Sequence, residues 1–153
     1  MEKQDRVPKL SGIYKHRILK KNSPLFRGFD DVFYAPHSRA TEITKEQILA
    51  CPELEIMAES DEAGVTIVKS VDSRQLFVLC HLEYDADTLK LEYERDLAKG
   101  LNPQIPVNYF PDDDPTKAPV VNWRSAGQLL WTNWINYYVY QTTPYDINDV
   151  ENE

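Results

Sequence analysis

The chain of 153 residues suits a single domain, in which folding buries about two-thirds of the surface that the unfolded chain exposes. Seventeen Lys and Arg against 25 Asp and Glu give a net charge of −8, which disfavours nucleic acids and anionic membranes as main partners. Two cysteines are too few for a disulfide scaffold, no apolar run reaches the ~20 residues that span a bilayer, and the polar start lacks a signal-peptide core, so we expect a cytoplasmic protein.

Five segments rich in β-branched and aromatic residues are predicted as strands. They cover residues 12–19, 31–35, 54–58, 65–70 and 76–80. The last, Leu76 to Cys80, is apolar without alternation, which is typical of a strand covered on both faces in the middle of a parallel sheet.

Two helices are predicted before residue 101. Thr44 and Gln47 have the spacing of a capping box at the start of a short helix over 45–50. A longer helix is predicted over 87–99, with Gly100 as its C-terminal cap. Its apolar face consists of Leu89, Tyr93 and Leu97, and its other face carries Lys90, Glu92, Glu94 and Asp96.

Residues 101–124 contain five prolines, which exclude regular structure there. A connection of this length is either a lid over a site or a proline-stiffened surface wrap. After it, Ser125 and Gln128 have the spacing of a second capping box, at the start of an aromatic helix over 125–145. The acidic residues 146–153 are predicted to be frayed.

A histidine and a carboxylate follow the apolar strand, at His81 and Glu83. In an extended segment residues i and i+2 point the same way, so these two side chains are predicted to be neighbours. A carboxylate beside an imidazole fixes its tautomer and stabilises the imidazolium, as a general base for a Ser or Cys nucleophile requires. The end of a strand is also where open α/β sheets bind ligands. The alternative is an ordinary surface ion pair.

Two further side chains could contact a small anionic ligand. Arg95 lies on the helix that follows the His-Glu pair, and a guanidinium binds a carboxylate through two parallel hydrogen bonds. The alternative is a solvated helix residue paired with Glu92 or another nearby acid. Ser38 follows the strand that ends at Ala35, where its hydroxyl could bind a ligand or cap a turn.

No metal-ligand spacing and no glycine-rich phosphate loop occur, because His16, His37 and His81 are far apart and the five glycines are scattered. Cys80 is predicted to face away from His81, and Cys51 to be a small buried apolar residue. The residues alone therefore predict a base and its orienting partner without a nucleophile.

Seven short motifs in order along the chain resemble one known family. They are Lys9-Leu10-Ser11-Gly12, Arg27-Gly28-Phe29-Asp30-Asp31, Ala35-Pro36-His37-Ser38-Arg39, His81-x-Glu83-Tyr84-Asp85, Asn108-Tyr109-Phe110-Pro111, Trp123-Arg124-Ser125 and Thr132-Asn133-Trp134-x-Asn136-Tyr137-Tyr138-Val139-Tyr140-Gln141. Together they resemble the C-terminal half of the homoserine O-acyltransferases of methionine biosynthesis.

The resemblance implies an α/β fold of the class I glutamine amidotransferase type, a flavodoxin-like three-layer sheet. It implies transfer of an acetyl or succinyl group from acyl-CoA, as co-substrate, to a cysteine and then to the hydroxyl of homoserine, without a cofactor. By resemblance His81 is the general base and Glu83 its orienting partner. The positions that match substrate contacts are Lys9, Ser38 and Arg95.

Two departures from the family pattern stand out. Leu82 occupies a position that is usually proline, which loosens the turn between His81 and Glu83. The family's N-terminal half, with the nucleophilic cysteine, has no counterpart, so residues 1–153 are predicted to form one partial domain that is inactive alone. Residues 1–100 would carry the His-x-Glu site, and 101–124 would cover it.

The exposed edge of such a partial sheet predicts aggregation, a homo-oligomer, or pairing with a separate N-terminal half that restores activity. The alternatives are an inactive remnant and a non-catalytic module that binds a small carboxylate through Lys9, Ser38 and Arg95. The choice between the acetyl and succinyl donors stays open.

Overall fold

A single five-stranded sheet organises the chain in the computed structural model, which describes residues 2–141. Its strands are β1 (Gln4–Ile18), β2 (Val32–Glu42), β3 (Leu54–Ser60), β4 (Gly64–Ser70) and β5 (Leu76–Val78). The strands lie in the order β2-β1-β3-β4-β5, and every neighbouring pair is antiparallel. All five predicted strands are therefore present, with shifted ends.

The prediction that the 76–80 segment lies in the middle of a parallel sheet is wrong for the described residues. β5 is three residues long, pairs antiparallel with β4 alone, and forms one edge of the sheet. Phe77 is 42% exposed. An unbroken apolar run indicates a strand that is suited to burial on both faces, but it encodes neither the direction of its neighbours nor their number.

The two helices predicted before residue 101 are confirmed. α1 is Lys45–Leu49, and it begins with a complete capping box in which Thr44 and Gln47 bond reciprocally. α2 is Thr88–Ala98. Gly100 ends α2 with φ +70°, and its N–H donates to the carbonyl of Leu97, as a left-handed cap requires.

The predicted faces of α2 are correct only in part. Leu89 is buried, but Leu97 is 45% exposed. Glu92, assigned to the solvated face, has a side chain only 19% exposed and turns towards Lys9 and Ser38. Helical spacing indicates which residues share a face, but it does not reveal which polar residue meets a polar group from another element.

The aromatic helix is present, but its predicted capping box is not. α3 is Arg124–Trp134, and a π-helical turn, Ile135–Val139, continues it. Trp123 occupies the cap position without a side-chain cap, and its buried indole N–H donates to the carbonyl of Tyr84 at 2.9 Å. Packing of this ring fixes the start of the helix, so Ser125 lies inside it. Residues 142–145 of the predicted helix and the 146–153 tail lie outside the described residues.

The main core lies between the sheet and α3, and it includes side chains from the proline-rich connection. Its central members are Ile13, Leu25, Met57, Ile67, Leu82, Leu89, Tyr109, Phe110, Trp123 and Leu130. Val107 of the connection also bridges to Gly12 of β1. No helix within residues 2–141 is long and apolar enough to cross a membrane.

The close approach of α3 to residues 81–83 depends on Gly127. A Cβ at this position would lie 2.7 Å from the carbonyl oxygen of Leu82, a distance that real Cβ atoms do not adopt. The Leu82 side chain is itself buried in the core. The turn that carries His81 and Glu83 is therefore held against the helix by an apolar anchor between them.

Candidate active site

His81 and Glu83 lie side by side immediately after β5. Nδ1 of His81 is 2.8 Å from Oε1 of Glu83. The two side chains are therefore neighbours, as predicted. The segment that carries them is a turn rather than an extended strand, since the N–H of Tyr84 donates to the carbonyl of His81. The N–H of His81 donates to the carbonyl of Pro36 at 2.8 Å, which ties the start of this turn to β2.

This arrangement orients the imidazole. The His81 ring stacks on Tyr84, with ring centroids 4.3 Å apart and an angle of 17° between the planes. The His81 and Glu83 side chains are 35% and 57% exposed, so their pairing adds only about 0–1 kcal/mol to stability. Its consequence is chemical: with Nδ1 held by the carboxylate, Nε2 is the nitrogen left to exchange a proton with a reacting group.

A second polar cluster is centred on Glu92. Its carboxylate accepts hydrogen bonds from the hydroxyl of Ser38 and, at 2.8 Å, from the hydroxyl of Tyr84. Nζ of Lys9 lies 3.4 Å from the same carboxylate. Tyr84 therefore joins the two groups, with its ring against His81 and its hydroxyl on Glu92. We call Lys9, Ser38, Tyr84, Glu92 and Asp96 the acceptor cluster.

The partners of Glu92 determine its ionisation. Burial raises the pKa of Glu92, but the hydrogen bonds from Ser38 and Tyr84 and the charge of Lys9 outweigh it, so the pKa lies below its usual range. Burial, and then the bond to Glu92, raise the pKa of Tyr84 well above that of a free phenol. At neutral pH the cluster therefore holds an ionised carboxylate and a neutral phenol.

The hydrogen bonds of the Arg95 side chain to this cluster are made to Asp96. Its Nε and Nη2 lie 2.9 and 2.8 Å from Oδ1 of Asp96, and its side chain is 52% exposed. The other oxygen of Asp96 is 3.5 Å from Nζ of Lys9. The structure thus brings Lys9 and Ser38 together with the carboxylate of Glu92, which the sequence analysis did not propose as a site residue. The guanidinium of Arg95 lies at the rim of this cluster, where it pairs with Asp96.

A cavity of about 290 Å³ opens beside the acceptor cluster. Its lining includes Lys9, Tyr14, Glu92 and Asp96, together with residues 101–104 and Val107 of the proline-rich connection. The first part of the proline-rich connection is therefore a wall of this cavity. His81 and Glu83 are not among its lining residues.

Neither cysteine has the environment of a nucleophile. Cys80 is 4% exposed, and burial raises its pKa far above its usual value. Cys51 is half-buried rather than buried as predicted, and the carboxylate of Glu53, 3.2 Å from its sulfur, raises its pKa. A reactive thiol needs the opposite shift.

Sequence reasoning missed a buried pair of histidines beneath Ser38. Nε2 of His16 and Nε2 of His37 are 3.0 Å apart, and both residues are fully buried. Burial lowers the pKa of His16 to about 4 and that of His37 to about 2. The exposed Lys15 and Arg17 on either side of His16 were the available signal, because alternation in a strand places the residue between them inward.

Comparison with known proteins identifies the family. The model of the homoserine O-succinyltransferase family matches residues 1–145. The chain belongs to this family. It is 60% identical over 143 residues to a homoserine O-acetyltransferase from Acetivibrio thermocellus, covering 94% of this chain and 47% of the relative. It is 54% identical over 151 residues to a homoserine O-succinyltransferase from Tolumonas auensis, covering 99% of this chain and 48% of the relative.

The resemblance found in the sequence is thus confirmed, and the chain spans about half the length of the curated relatives that it matches. The fold class is confirmed by a glutamine amidotransferase from Thermotoga maritima, which matches with a TM-score of 0.51 at 15% identity. That match covers 86% of this chain and 46% of the other.

Proposed function

We propose that this chain carries the acid–base groups and the acceptor-binding groups of a homoserine O-acyltransferase, which transfers an acyl group from acyl-CoA to the hydroxyl of homoserine. The observation that carries the proposal is the connection of the His81–Glu83 pair, through Tyr84, to an ionised carboxylate beside a small cavity. Family membership supports the reaction class, and this geometry supports the roles that we propose for the residues.

His81 acts as the general base in both half-reactions. Its Nε2 first takes the proton of a cysteine thiol that belongs to the half of the relatives this chain does not span. The thiolate attacks the acyl-CoA carbonyl, and the CoA thiolate leaves with that proton. His81 then takes the proton of the homoserine hydroxyl as its oxygen attacks the thioester, and returns it to the departing cysteine. Glu83 stabilises the imidazolium in each step.

The acceptor cluster binds homoserine as a zwitterion. Glu92 is ionised and half-buried, so it suits the ammonium group, whereas Lys9 and the rim guanidinium of Arg95 suit the carboxylate. Ser38 donates to Glu92 and so helps to fix that carboxylate. A cavity of about 290 Å³ admits an amino acid of this size.

The acyl donor is acyl-CoA, which acts as co-substrate, and the proposed steps use no resident cofactor. Relatives with the acetyl and the succinyl name match at 60% and 54% identity, so the shared half does not separate the two donors. We therefore place the choice of acyl group in the half that this chain does not span.

A non-catalytic module that binds small carboxylates is the second candidate. The observation that favours it is that both cysteines have raised pKa values. Under either candidate, this chain mixed with acyl-CoA and homoserine is expected to release no CoA. The two candidates predict different rates of CoA release once a segment with a reactive cysteine is supplied.

A chimera separates them. This chain replaces the matching segment of the Acetivibrio thermocellus homoserine O-acetyltransferase, and CoA release is measured with homoserine as acceptor. The chimera is expected to turn over, and His81→Ala to reduce kcat by about 10⁴-fold while the chimera stays folded. Lys117→Ala, on an exposed side chain of the connection, is the control and is expected to leave kcat unchanged. Turnover by the His81→Ala chimera at the parental rate would contradict the proposed base.

A further inference from the structure

The side chain of Tyr84 contacts the proposed base with its ring and the acceptor cluster with its hydroxyl. The ring lies almost parallel to the imidazole of His81, with centroids 4.3 Å apart and 17° between the planes. The hydroxyl donates to Oε1 of Glu92 at 2.8 Å. One rigid side chain therefore connects the imidazole to the carboxylate that we propose binds the ammonium group of homoserine.

The backbone of Tyr84 is held at both of its polar groups. Its N–H donates to the carbonyl of His81 at 3.2 Å, and its carbonyl accepts the indole N–H of Trp123 at 2.9 Å. Trp123 is a central member of the main core, and the Tyr84 ring packs against that core. With the backbone fixed, the position of the ring depends on two side-chain torsions, and the hydrogen bond to Glu92 constrains both.

The imidazole of His81 needs a second constraint besides Glu83. The Glu83 side chain is 57% exposed, so water competes for its bond to Nδ1, and the carboxylate can follow a movement of the ring. The stacked face of Tyr84 restricts the plane of the imidazole, which a bond to one nitrogen does not do. Proton transfer depends on that plane, because it sets the direction in which Nε2 points.

The two oxygens of Glu92 have different partners. Oε2 accepts the hydroxyl of Ser38 and lies 3.4 Å from Nζ of Lys9, whereas Oε1 accepts the hydroxyl of Tyr84. A phenol that donates to an ionised carboxylate makes a charge-assisted bond, which is stronger than a neutral one. A cation that binds to Glu92 shares this carboxylate with Tyr84, so binding there changes the bond that positions the Tyr84 ring.

β2 holds both ends of this connection. Ser38 donates to Glu92, and two residues earlier the carbonyl of Pro36 accepts the N–H of His81 at 2.8 Å. The contacts therefore form a closed circuit from His81 through Tyr84, Glu92 and β2 back to His81. Because the strand fixes the backbone of His81 relative to Ser38, a change at Glu92 is transmitted through side chains.

We propose that Tyr84 is a positioning residue that couples the acceptor site to the base. Its ring sets the plane of the His81 imidazole, and its hydroxyl makes that plane depend on what Glu92 binds. The inference rests on the proposed function for the identity of the acceptor, homoserine. Binding of the homoserine ammonium at Glu92 then adjusts the imidazole for the second half-reaction. Coupling of this kind requires an element that both sites contact, and Tyr84 is that element.

NMR of the His81 ring tests the coupling without turnover and without homoserine. Ring resonances are recorded for the chain, Glu92→Gln, Tyr84→Phe and the double variant. Glu92→Gln is expected to shift the His81 resonances in the unmodified chain, and to shift them by less than about one third as much in the Tyr84→Phe background. A direct field from Glu92 would give equal shifts in both backgrounds, and that result would overturn the proposal.

The chimera described above separates the hydroxyl of Tyr84 from its ring. Single-turnover CoA release without homoserine reports on the first half-reaction, and kcat/KM for homoserine reports on the second. Tyr84→Phe is expected to keep CoA release within about 2-fold and to lower kcat/KM for homoserine about 10-fold, because only the bond to Glu92 is lost. Tyr84→Leu is expected to slow CoA release about 10²-fold as well, because the imidazole is no longer positioned.

Tyr137→Phe is the matched control. It removes a phenol hydroxyl that accepts a hydrogen bond from Arg27 at 2.9 Å, on the π-helical turn after α3. We expect it to leave both half-reactions unchanged, and its His81 resonances to match those of the unmodified chain. A shift of these resonances equal to that in Tyr84→Phe would show that loss of any such hydroxyl disturbs the fold, and it would contradict the assigned role.

Two kinetic results would also overturn the proposal. One is an equal loss in both half-reactions for Tyr84→Phe, as a merely structural role predicts, and the other is a folded Tyr84→Leu chimera that releases CoA at the parental rate. If Tyr84→Leu does not fold, Tyr84→Phe and the double variant decide. A chimera without turnover in its unmodified form would contradict the proposed function, and the NMR comparison would then decide the coupling by itself.

Discussion

The two edge strands of the sheet differ in almost every property that prepares an edge for solvent. β2 is 11 residues long and contains Pro36, Ser38 and Arg39, and one of its outward carbonyls, that of Pro36, accepts the N–H of His81. β5 consists of three apolar residues, and no strand within residues 2–141 pairs with its outer side. Proline, charge and local cover are the usual protection of an edge, and only β2 has them. The β2 edge is protected within this chain, whereas the β5 edge lacks this protection among residues 2–141.

The two parts of the proposed site also differ from each other. The acceptor cluster lies at the β2 end, and its carboxylate and hydroxyl groups already have partners. His81 follows β5 and is tied to β2 by the hydrogen bond from its N–H to Pro36, and Nδ1 of its ring is bonded to Glu83. In the proposed mechanism Nε2 then serves a group from outside the chain. Under the proposed function, the groups that would bind the small substrate already bond to one another, whereas the proposed base requires a thiol from another segment.

Lowering the pH is expected to destabilise the fold through His16 on β1 and His37 on β2. His16 and His37 are buried and neutral, and their folded pKa values, about 4 and about 2, lie below the ordinary value of 6.5. Because the pKa values are lowered on folding, the unfolded chain binds more protons than the folded chain below pH ~6.5. The contribution of the two neutral histidines to the free energy of unfolding is therefore complete above pH ~6.5 and is lost as the pH falls. The two histidines together should reduce the free energy of unfolding by about 3 kcal/mol between pH 7.5 and 5.5.

Urea unfolding at several pH values measures this loss of stability. NMR of the imidazole rings in the folded chain shows whether His16 and His37 are its source. Neither His16 nor His37 should titrate between pH 7.5 and 5.5. The charges of Arg39, Arg6 and His81 lower the pKa of His37 further, in the same direction as burial. The double variant H16L/H37L should show a correspondingly smaller pH dependence. A His37 ring that protonates near pH 6 in the folded chain would contradict the account of this pair.

Gly127 is expected to be required for the packing of α3 against the turn of residues 81–83. Gly127→Ala puts a methyl group 2.7 Å from the carbonyl oxygen of Leu82, so α3 or the 81–83 turn must shift. Overpacking of this kind costs about 1–3 kcal/mol, against a gain of at most about 1 kcal/mol in helix propensity. Thermal unfolding gives the net loss. Ser125→Ala, exposed on the same helix, is the control.

The same control tests the helix start. Because Ser125 lies inside α3 and caps nothing, its replacement by Ala should leave the stability unchanged within about 0.5 kcal/mol. A loss of about 1 kcal/mol, the usual worth of an N-cap, would restore the capping box that the spacing predicted.

Binding of homoserine should depend on Glu92 and not on its helical neighbour. Calorimetry with homoserine compares Glu92→Gln, which removes the charge at the cavity, with Glu94→Gln, which removes an exposed charge of the same helix. The first should weaken binding about 10-fold, as expected for loss of a charged hydrogen bond, and the second should not. Equal effects would remove Glu92 from the acceptor site.

The parts that sequence reasoning recovered are those encoded locally. Thr44 and Gln47 are three residues apart and cap their own helix, and His81 and Glu83 are close because only Leu82 separates them. Glu92 was missed because its partners, Ser38 and Lys9, come from the sheet, and only the packing of α2 against β1 and β2 reveals them. The motifs identified the family, since short exact strings in order carry information that periodicity does not.

The order and direction of strands could not be predicted for the same reason. β5 has a pattern that fits burial on both faces, and the pattern is satisfied only if a neighbour arrives from outside the described residues. The His16–His37 pair likewise depends on how β1 pairs with β2, because only the register brings two inward histidines together.

The central claim is that Glu83 holds Nδ1 of His81 and so leaves Nε2 as the basic nitrogen. Nitrogen-15 NMR of the imidazole, at a pH where the ring is neutral, tests this in the chain alone. We expect Nδ1 to give the resonance of a protonated nitrogen and Nε2 that of a nitrogen with a free lone pair, and we expect this preference to be lost in Glu83→Ala. A ring that carries its proton on Nε2, unchanged by the variant, would contradict it.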